Sequence, residues 1–459
     1  MNDEQDVSRA LRDAVPLPET PTGLLDGARR RRDRRRQVGA LGGGAVAVVA
    51  AGALLLPSLP GLLAGQPAMD SAGMDAGGAA GPVSEAVALL DLPFETTDGV
   101  AAAAAASEAL AWSGIRATDD PNRVMSPSSL SLSLAMAAEG AAGASLESAN
   151  AALGLEGETR SRAYGALRQS LQPYNNFPES LDLDEPPETP LVHQANRLVT
   201  LGTTPDPDFL HALDTYFLVP VEDLDRAVAQ ENLDAWVREE TGGLIEKSGI
   251  VVEPDSKLVL QDAILFAAAW RTPLQDESGV RFEGPDGEEF VPGASGTVEA
   301  PTAEGARWTA VRLPYDDALA ADVILPREGF GPDDLTADDL AEAREALDEA
   351  TPREVFVRLP TFDLTAKTDL IRALPQVDLH DLSGMGPGLT VDQWVQQARL
   401  RVTAKGTVGA AVTEVVVGES AVMPPPDQFV VDRPYVFRVL DTRTGWPLFL
   451  AAVSDPTEE

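Results

Sequence analysis

"FVVDRPYVFRVLDTRTGWPLFLAAVSDP", residues 429–456, lies near the C-terminus. It holds two apolar runs, "FVVDRPYVFRVLD" and "WPLFLAAVSD", parted by "TRTG". Two such runs around a short polar, glycine-containing connection read as a strand pair joined by a turn. Just upstream, "GTVGAAVTEVVVGESAVMPPP" (406–426) is also β-like, yet its residues are small. Thr407, Gly409, Ala411 and Thr413 alternate with Val408, Ala410, Val412 and Glu414. Side chains alternate between the faces of a strand, so the first four share one side. A strand that needed only packing would carry larger residues there. Pro424, Pro425 and Pro426 then stop any strand, because proline has no amide donor. An ordinary edge strand and loop is the plainer alternative, for which glycine and alanine are poor choices.

Further upstream the apolar pattern alternates between helix and strand. "VAAAAAASEALAWSG" (100–114) is helical by composition, and 126–154 reads as a helix begun by Ser126 with Pro127 in its first turn. "ENLDAWVREETGGLI" (231–245) reads as a helix stopped by glycine. "KLVLQDAILFAAAW" (257–270) is a continuous apolar run, as in a strand buried on both faces. "WTAVRLPY", "LAADVILP", "EVFVRLPTFDL" and "WVQQARLRVTA" are further strands. Helices gather early and strands late, which predicts an α+β fold with mostly antiparallel sheets.

The chain has 459 residues, no cysteine and a formal net charge of −38. Without cysteine there are no disulfides, thiol nucleophiles or thiolate metal sites. Such an acidic chain is repelled by nucleic acid and by anionic lipid head groups. Residues 1–37 are the exception, with nine arginines against seven acids; the remainder holds 26 basic and 66 acidic residues, a net of −40. "RRRRDRRR" directly precedes a stretch, Gln37 to Gly65, with no charged residue. That is long enough for one membrane-spanning helix, and arginines before it predict a cytoplasmic N-terminus. The organisation expected is a basic tail (1–37), a membrane anchor (38–64), a flexible linker (65–88) and one domain from 89 to 459 outside the cell. A cleaved signal peptide and secretion are the alternative, disfavoured by the long charged region and the lack of a clean cleavage site.

No nucleophile elbow, zinc-protease helix or phosphate loop occurs. His193, His211 and His380 are not spaced as metal ligands. Acidic pairs such as Asp316-Asp317 read as solvated faces. A hydrolase built on paired carboxylates has no pair that stands out, so no enzymatic activity, metal or cofactor is expected.

The C-terminal stretch resembles the signature of the serpins, with Tyr435 where the family usually has phenylalanine. "NRVMSPSSLSLSLAM" (122–136), "HQANRLV" (193–199), "LVLQDAILFAAAW" ending at Trp270, "VRLPY" (311–315) and "VRLPTF" (357–362) match family segments in family order. The resemblance implies helices packed on a large central sheet, smaller sheets, and an exposed reactive loop near the C-terminus. "AKGTVGAAVTEVV" (404–416) resembles the hinge of that loop, with Ala404 in place of the usual glutamate and Gly409 in place of an alanine.

In inhibitory serpins a protease attacks the loop, and the hinge then inserts as an extra strand into the large sheet. Hinge residues here would be Gly406, Thr407, Gly409, Ala411 and Thr413, and Trp270 would be the tryptophan at the top of the sheet. Family spacing places the reactive bond at Ser420–Ala421, with Glu419 and Val422 as neighbours. Ser126, Ser129, Asp262 and Gln396 would form the shutter, where the family has asparagine and histidine at the last two positions; Gln396 is expected to donate to Asp262. The expected partner is an extracellular serine protease that accepts small or acidic residues, elastase-like, subtilisin-like or glutamate-specific, met by a monomer. A serpin-fold binding protein that does not inhibit is the alternative.

Overall fold

The computed structural model describes residues 90–176, 185–408 and 427–457. The basic tail, the anchor and the linker therefore lie outside the described residues, as do Gly409, Ala411, Thr413 and the reactive bond with its neighbours Glu419, Ser420, Ala421 and Val422. Among the described residues no helix is long and apolar enough to cross a membrane.

Helices α1 (Val100–Arg116), α2 (Pro127–Ala138), α3 (Gly143–Leu153) and α4 (Gly157–Ser170) come first, with β1 (Arg123–Met125) among them. Then follow β2 (Leu191–Thr200), α5 (Pro207–Ala212), β3 (Val221–Asp223), α6 (Arg226–Glu240) and β4 (Leu258–Ala269). A run of strands comes next: β5 (Gln275–Gly284), β6 (Gly287–Ala300), β7 (Thr302–Glu304), β8 (Trp308–Pro314) and β9 (Leu319–Pro326). The rest comprises α7 (Ala337–Glu349), β10 (Arg353–Pro360), β11 (Phe362–Asp369), α8 (Leu370–Ala373), β12 (Val395–Val402), β13 (Gly406–Thr407), β14 (Asp427–Val430), β15 (Tyr435–Asp441) and β16 (Trp446–Val453).

Three sheets result. One runs β1-β16-β15-β9-β8-β7, a smaller one β14-β10-β6-β5, and the third β11-β12-β13-β4-β2-β3. Only β10–β14 and β2–β3 are parallel among the described pairs, so the expected α+β, mostly antiparallel architecture holds. The C-terminal pair forms as read: β15 and β16 are antiparallel around a turn that Gly445 closes at φ +70°, and every residue of both strands is buried.

Two readings need correction. The segment 126–154 is two helices, because α2 stops at Ala138 and α3 starts at Gly143. Gly140 sits there against Met385, where an added Cβ would lie 2.1 Å from the methionine side chain. "EVFVRLPTFDL" is likewise two strands in different sheets, β10 and β11, which change over at Thr361 beside Pro360. Proline has no amide to continue a ladder, so the chain leaves one sheet for the other there.

Beneath the first sheet lies a buried ionic network. Arg438 of β15 is fully buried and bonds Asp322 of β9 (Nη2–Oδ2 2.6 Å) and Glu108 of α1. Arg312 of β8 holds the other side of Asp322 at 2.6 Å and reaches Asp348 of α7. Each charge has an opposite partner, which is the condition for keeping it inside.

Candidate functional site

The third sheet has a gap at its centre. β4 pairs with β2 along its whole length, and β12 pairs with β11 along its whole length. Between β4 and β12 stands only β13, two residues long, at one end. Past Thr407 no pairing joins β4 to β12 among the described residues. The gap is a cavity of about 120 Å³, bordered by Ser126, Ser129, Asp262, Ile264, Gln396 and Phe449 among others.

The closed end is built by a tight turn. The Thr403 amide donates to the Gly406 carbonyl (2.8 Å), so Ala404 and Lys405 reverse the chain from β12 into β13. Thr407 then pairs with Val402 on one side and Ala268 on the other. Gly406 is required there: a Cβ would lie 2.2 Å from the Ala268 carbonyl oxygen. Thr407 is fully buried, on the face that Val402 and Ala268 also turn to the core. Its hydroxyl hydrogen-bonds the Tyr315 phenol. Tyr315 stacks on Trp270 with ring centroids 4.6 Å apart, and burial pushes its pKa up, which keeps the phenol protonated. Trp270 is held by a bond from its indole nitrogen to the Thr403 carbonyl (3.0 Å). Trp270 thus sits at the end of the sheet where β13 enters.

Val408 ends the strand. Its amide still donates in register to the Arg401 carbonyl (2.9 Å), but its φ of +96° is one that a β-branched residue adopts only under strain. Its side chain is buried with Leu191, Leu265 and Ala267 on the outer face of the sheet. At the far end of the gap, residues 241–252 cross between the walls. Gln393 clasps them there, accepting from the Val251 amide (3.0 Å) and donating to its carbonyl (2.8 Å).

Ser126 caps α2 by accepting from the Ser129 amide (3.2 Å), with Pro127 in the first turn. Gln396 reaches Ser126 through its backbone: the Ser126 amide donates to Oε1 (3.0 Å) and Nε2 donates to the Ser126 carbonyl (2.9 Å). The expected Gln396–Asp262 bond is therefore absent, because both ends of the Gln396 amide are engaged by Ser126. Asp262 is half-buried as a residue, yet both its carboxylate oxygens are shut off from solvent and make no hydrogen bond of ordinary length and angle. Burial pushes its pKa up to about 7, although nearby Ser129, Gln194 and Arg168 favour the ionised form.

Sequence reasoning missed Tyr315, the strained Val408, the Gln393 clasp and the polar neighbours of Asp262. Only the last left a usable signal. Gln194 and Asn196 interrupt, two apart, the inward apolar series of β2 that contains Val192 and Leu198.

A split sheet with a short strand already seated at the mouth of its gap is the architecture of a protein whose sheet has room for one more strand. The family model of the serpins, described as serine protease inhibitors, matches residues 110–456, and the chain belongs to that family. A serpin-like protein of Thermococcus kodakarensis is 29% identical over 74% of this chain and 82% of its own length. Mouse glia-derived nexin is 28% identical over 50% of this chain and 64% of its own length, so just under two thirds of that relative is spanned. The solved complex of thyroxine-binding globulin with thyroxine aligns with a TM-score of 0.65 at 21% identity, covering 77% of this chain and 99% of that one, which bears on fold alone.

Proposed function

We propose that the chain is a suicide-substrate inhibitor of serine proteases, held outside the cell by the apolar segment 38–64. The observation that carries this is the register at β13. Thr407 lies between Ala268 and Val402 and faces the core. Continuing the same antiparallel register past Thr407 sets Gly409 between Phe266 and Leu400, Ala411 between Ile264 and Ala398, and Thr413 between Asp262 and Gln396. The smallest of these, Gly409, falls between the two bulkiest wall residues. The polar one, Thr413, falls beside the unpartnered carboxylate. Directly opposed residues on one face have Cβ atoms about 5 Å apart, so size and polarity both match.

In the mechanism, the target's serine attacks the Ser420 carbonyl, the amine of Ala421 leaves, and an acyl ester remains. Insertion of the hinge then outruns hydrolysis of that ester, driven by a native state that is held kinetically. Small and acidic residues around the bond suit elastase-like, subtilisin-like or glutamate-specific enzymes. Incubation with a panel of such proteases is expected to give a complex that survives SDS, with release of a fragment starting at Ala421. Complete turnover of the loop without a stable complex would instead support the second reading, a binding protein on the same fold. The Gln393 clasp across the gap, which must release before a strand can enter, favours that reading. For the anchor, protease shaving of intact cells is expected to remove the domain, and full-length chain found only in soluble cytoplasm would overturn that placement.

A further inference from the structure

We propose that Asp262 is a proton-operated latch on the gap between β4 and β12: neutral, it lets the walls lie together, and charged, it drives them apart toward water. The ground is a cluster of unsatisfied polar groups in the middle of the sheet. Asn196 lies directly across from Asp262 on β2, with Gln194 two residues along on the same face. Both amides are over nine-tenths buried, and none of their side-chain polar atoms has a partner. The two Asp262 oxygens are in the same condition beside the cavity. A buried carboxylate without bonds is costly, and the cost disappears once water reaches it.

The surroundings on every side are uncharged except one. The start of α2 offers Ser126 and Ser129, β12 offers Gln396 across the gap, and β16 offers Phe449. From α4 comes Arg168, whose charge acts on Asp262 while its own pKa is lowered by burial. α6 meets the opposite face of β4, where Gln261 donates to the Leu233 carbonyl and Arg197 is bonded to Gln261 and Glu222. His193 and Glu240 bind each other on that same far face.

The sign follows from linkage. With the gap closed, the carboxyl titrates at about 7. In contact with water it would titrate at about 4. The closed form therefore binds the extra proton between these values, and raising the pH favours opening until the closed form itself ionises. The opening equilibrium should rise about tenfold from about pH 5 to 6, about tenfold more from pH 6 to 8, and then level off.

Hydrogen exchange of the intact protein, corrected for the intrinsic pH dependence, reads this directly in residues 258–269 and 395–402, with β15 and β16 as internal controls. Gap opening is measured without any protease, so the outcome does not depend on whether the chain inhibits one. Wild type should lose protection in the two walls along the stated profile, and Asp262→Asn should stay protected and flat. Arg168→Gln removes the one facing cation and should shift the wild-type transition to higher pH. A flat wild-type profile, the same slope in Asp262→Asn, or an unmoved transition in Arg168→Gln would overturn the latch.

Discussion

The Tyr315 phenol and the Thr407 hydroxyl are hydrogen-bonded inside the sheet, one residue before the chain turns out of it at Val408. This bond ties β13 to the aromatic stack of Tyr315 and Trp270. Tyr315→Phe keeps the ring stack and removes the bond, leaving the Thr407 hydroxyl buried without that partner. A loss of about 1–3 kcal/mol is expected. It should appear as faster amide exchange at residues 406–408 with little change elsewhere. Unchanged exchange there would mean that the backbone pairs alone hold β13.

Gly406→Ala tests the same end of the sheet from the backbone. Its methyl would lie 2.2 Å from the Ala268 carbonyl oxygen, which cannot rotate away as a side-chain tip would. β13 should leave its place at a cost of about 1–3 kcal/mol. Protection of the Trp270 amide, which donates to the Lys405 carbonyl at 2.9 Å, should fall with it. Retained protection of that amide would show that the walls adjust around the new methyl.

Thr413→Arg probes the far end of the proposed insertion. In register it would bring a cation between Asp262 and Gln396. If Asp262 remains neutral in the filled gap, that cation is buried without a counter-charge, at a cost of several kcal/mol. Insertion should slow while cleavage of the loop is unchanged, and the inhibitor should become a substrate. Glu414→Arg, on the outer face, should do little. Asp262 supplies an internal check, since its ionisation would partly neutralise the arginine. The defect should therefore be deepest in the double variant Thr413→Arg with Asp262→Asn. Wild-type amounts of SDS-stable complex from the double variant would rule out insertion in this register.

The buried network around Arg438 makes a prediction about acid. Burial alone would raise Asp322, but the charges of Arg312 and Arg438 outweigh it and hold the carboxylate below its usual range. Its contribution to stability is therefore present above the unfolded value of about 4 and is lost as the pH falls through the native value. Arg438→Met would strand Glu108 and leave Asp322 with Arg312 alone. A loss of about 3–5 kcal/mol is expected, measured as a lower urea midpoint at neutral pH. The variant should also unfold at a higher pH on acidification, and equal acid midpoints would remove the network from the account.

Much of the fold was legible because its strands carry continuous or alternating apolar runs bounded by turn residues. β4, β8, β9, β12, β15 and β16 could be read in that way. The changeover at Thr361 could not, since "EVFVRLPTFDL" is one uninterrupted β-like run and only its proline marks the break. The inward direction of Thr407 follows from alternation, which is local. The loss of the expected Gln396–Asp262 bond is not local: it depends on the N-terminal turn of α2 lying close enough to engage both ends of the Gln396 amide. The Gln393 clasp and the Tyr315 bond join residues 142 and 92 positions apart, and no pattern within a segment encodes them.

The turn at Ala404 and Lys405 has a kinetic consequence. It makes β13 a nucleus, because the entropy of bringing a loop end to the sheet is already lost in the resting protein. Insertion from there is propagation, like a zip closing from a fixed stop, with each new pair forming next to one already made. The stop also sets the reading frame. A slip by one residue would exchange the two faces, turning Val408, Val412 and Glu414 inward and Thr407, Gly409, Ala411 and Thr413 outward. With β13 fixed before any protease arrives, that error has no route by which to begin, and speed is governed by how readily the walls part.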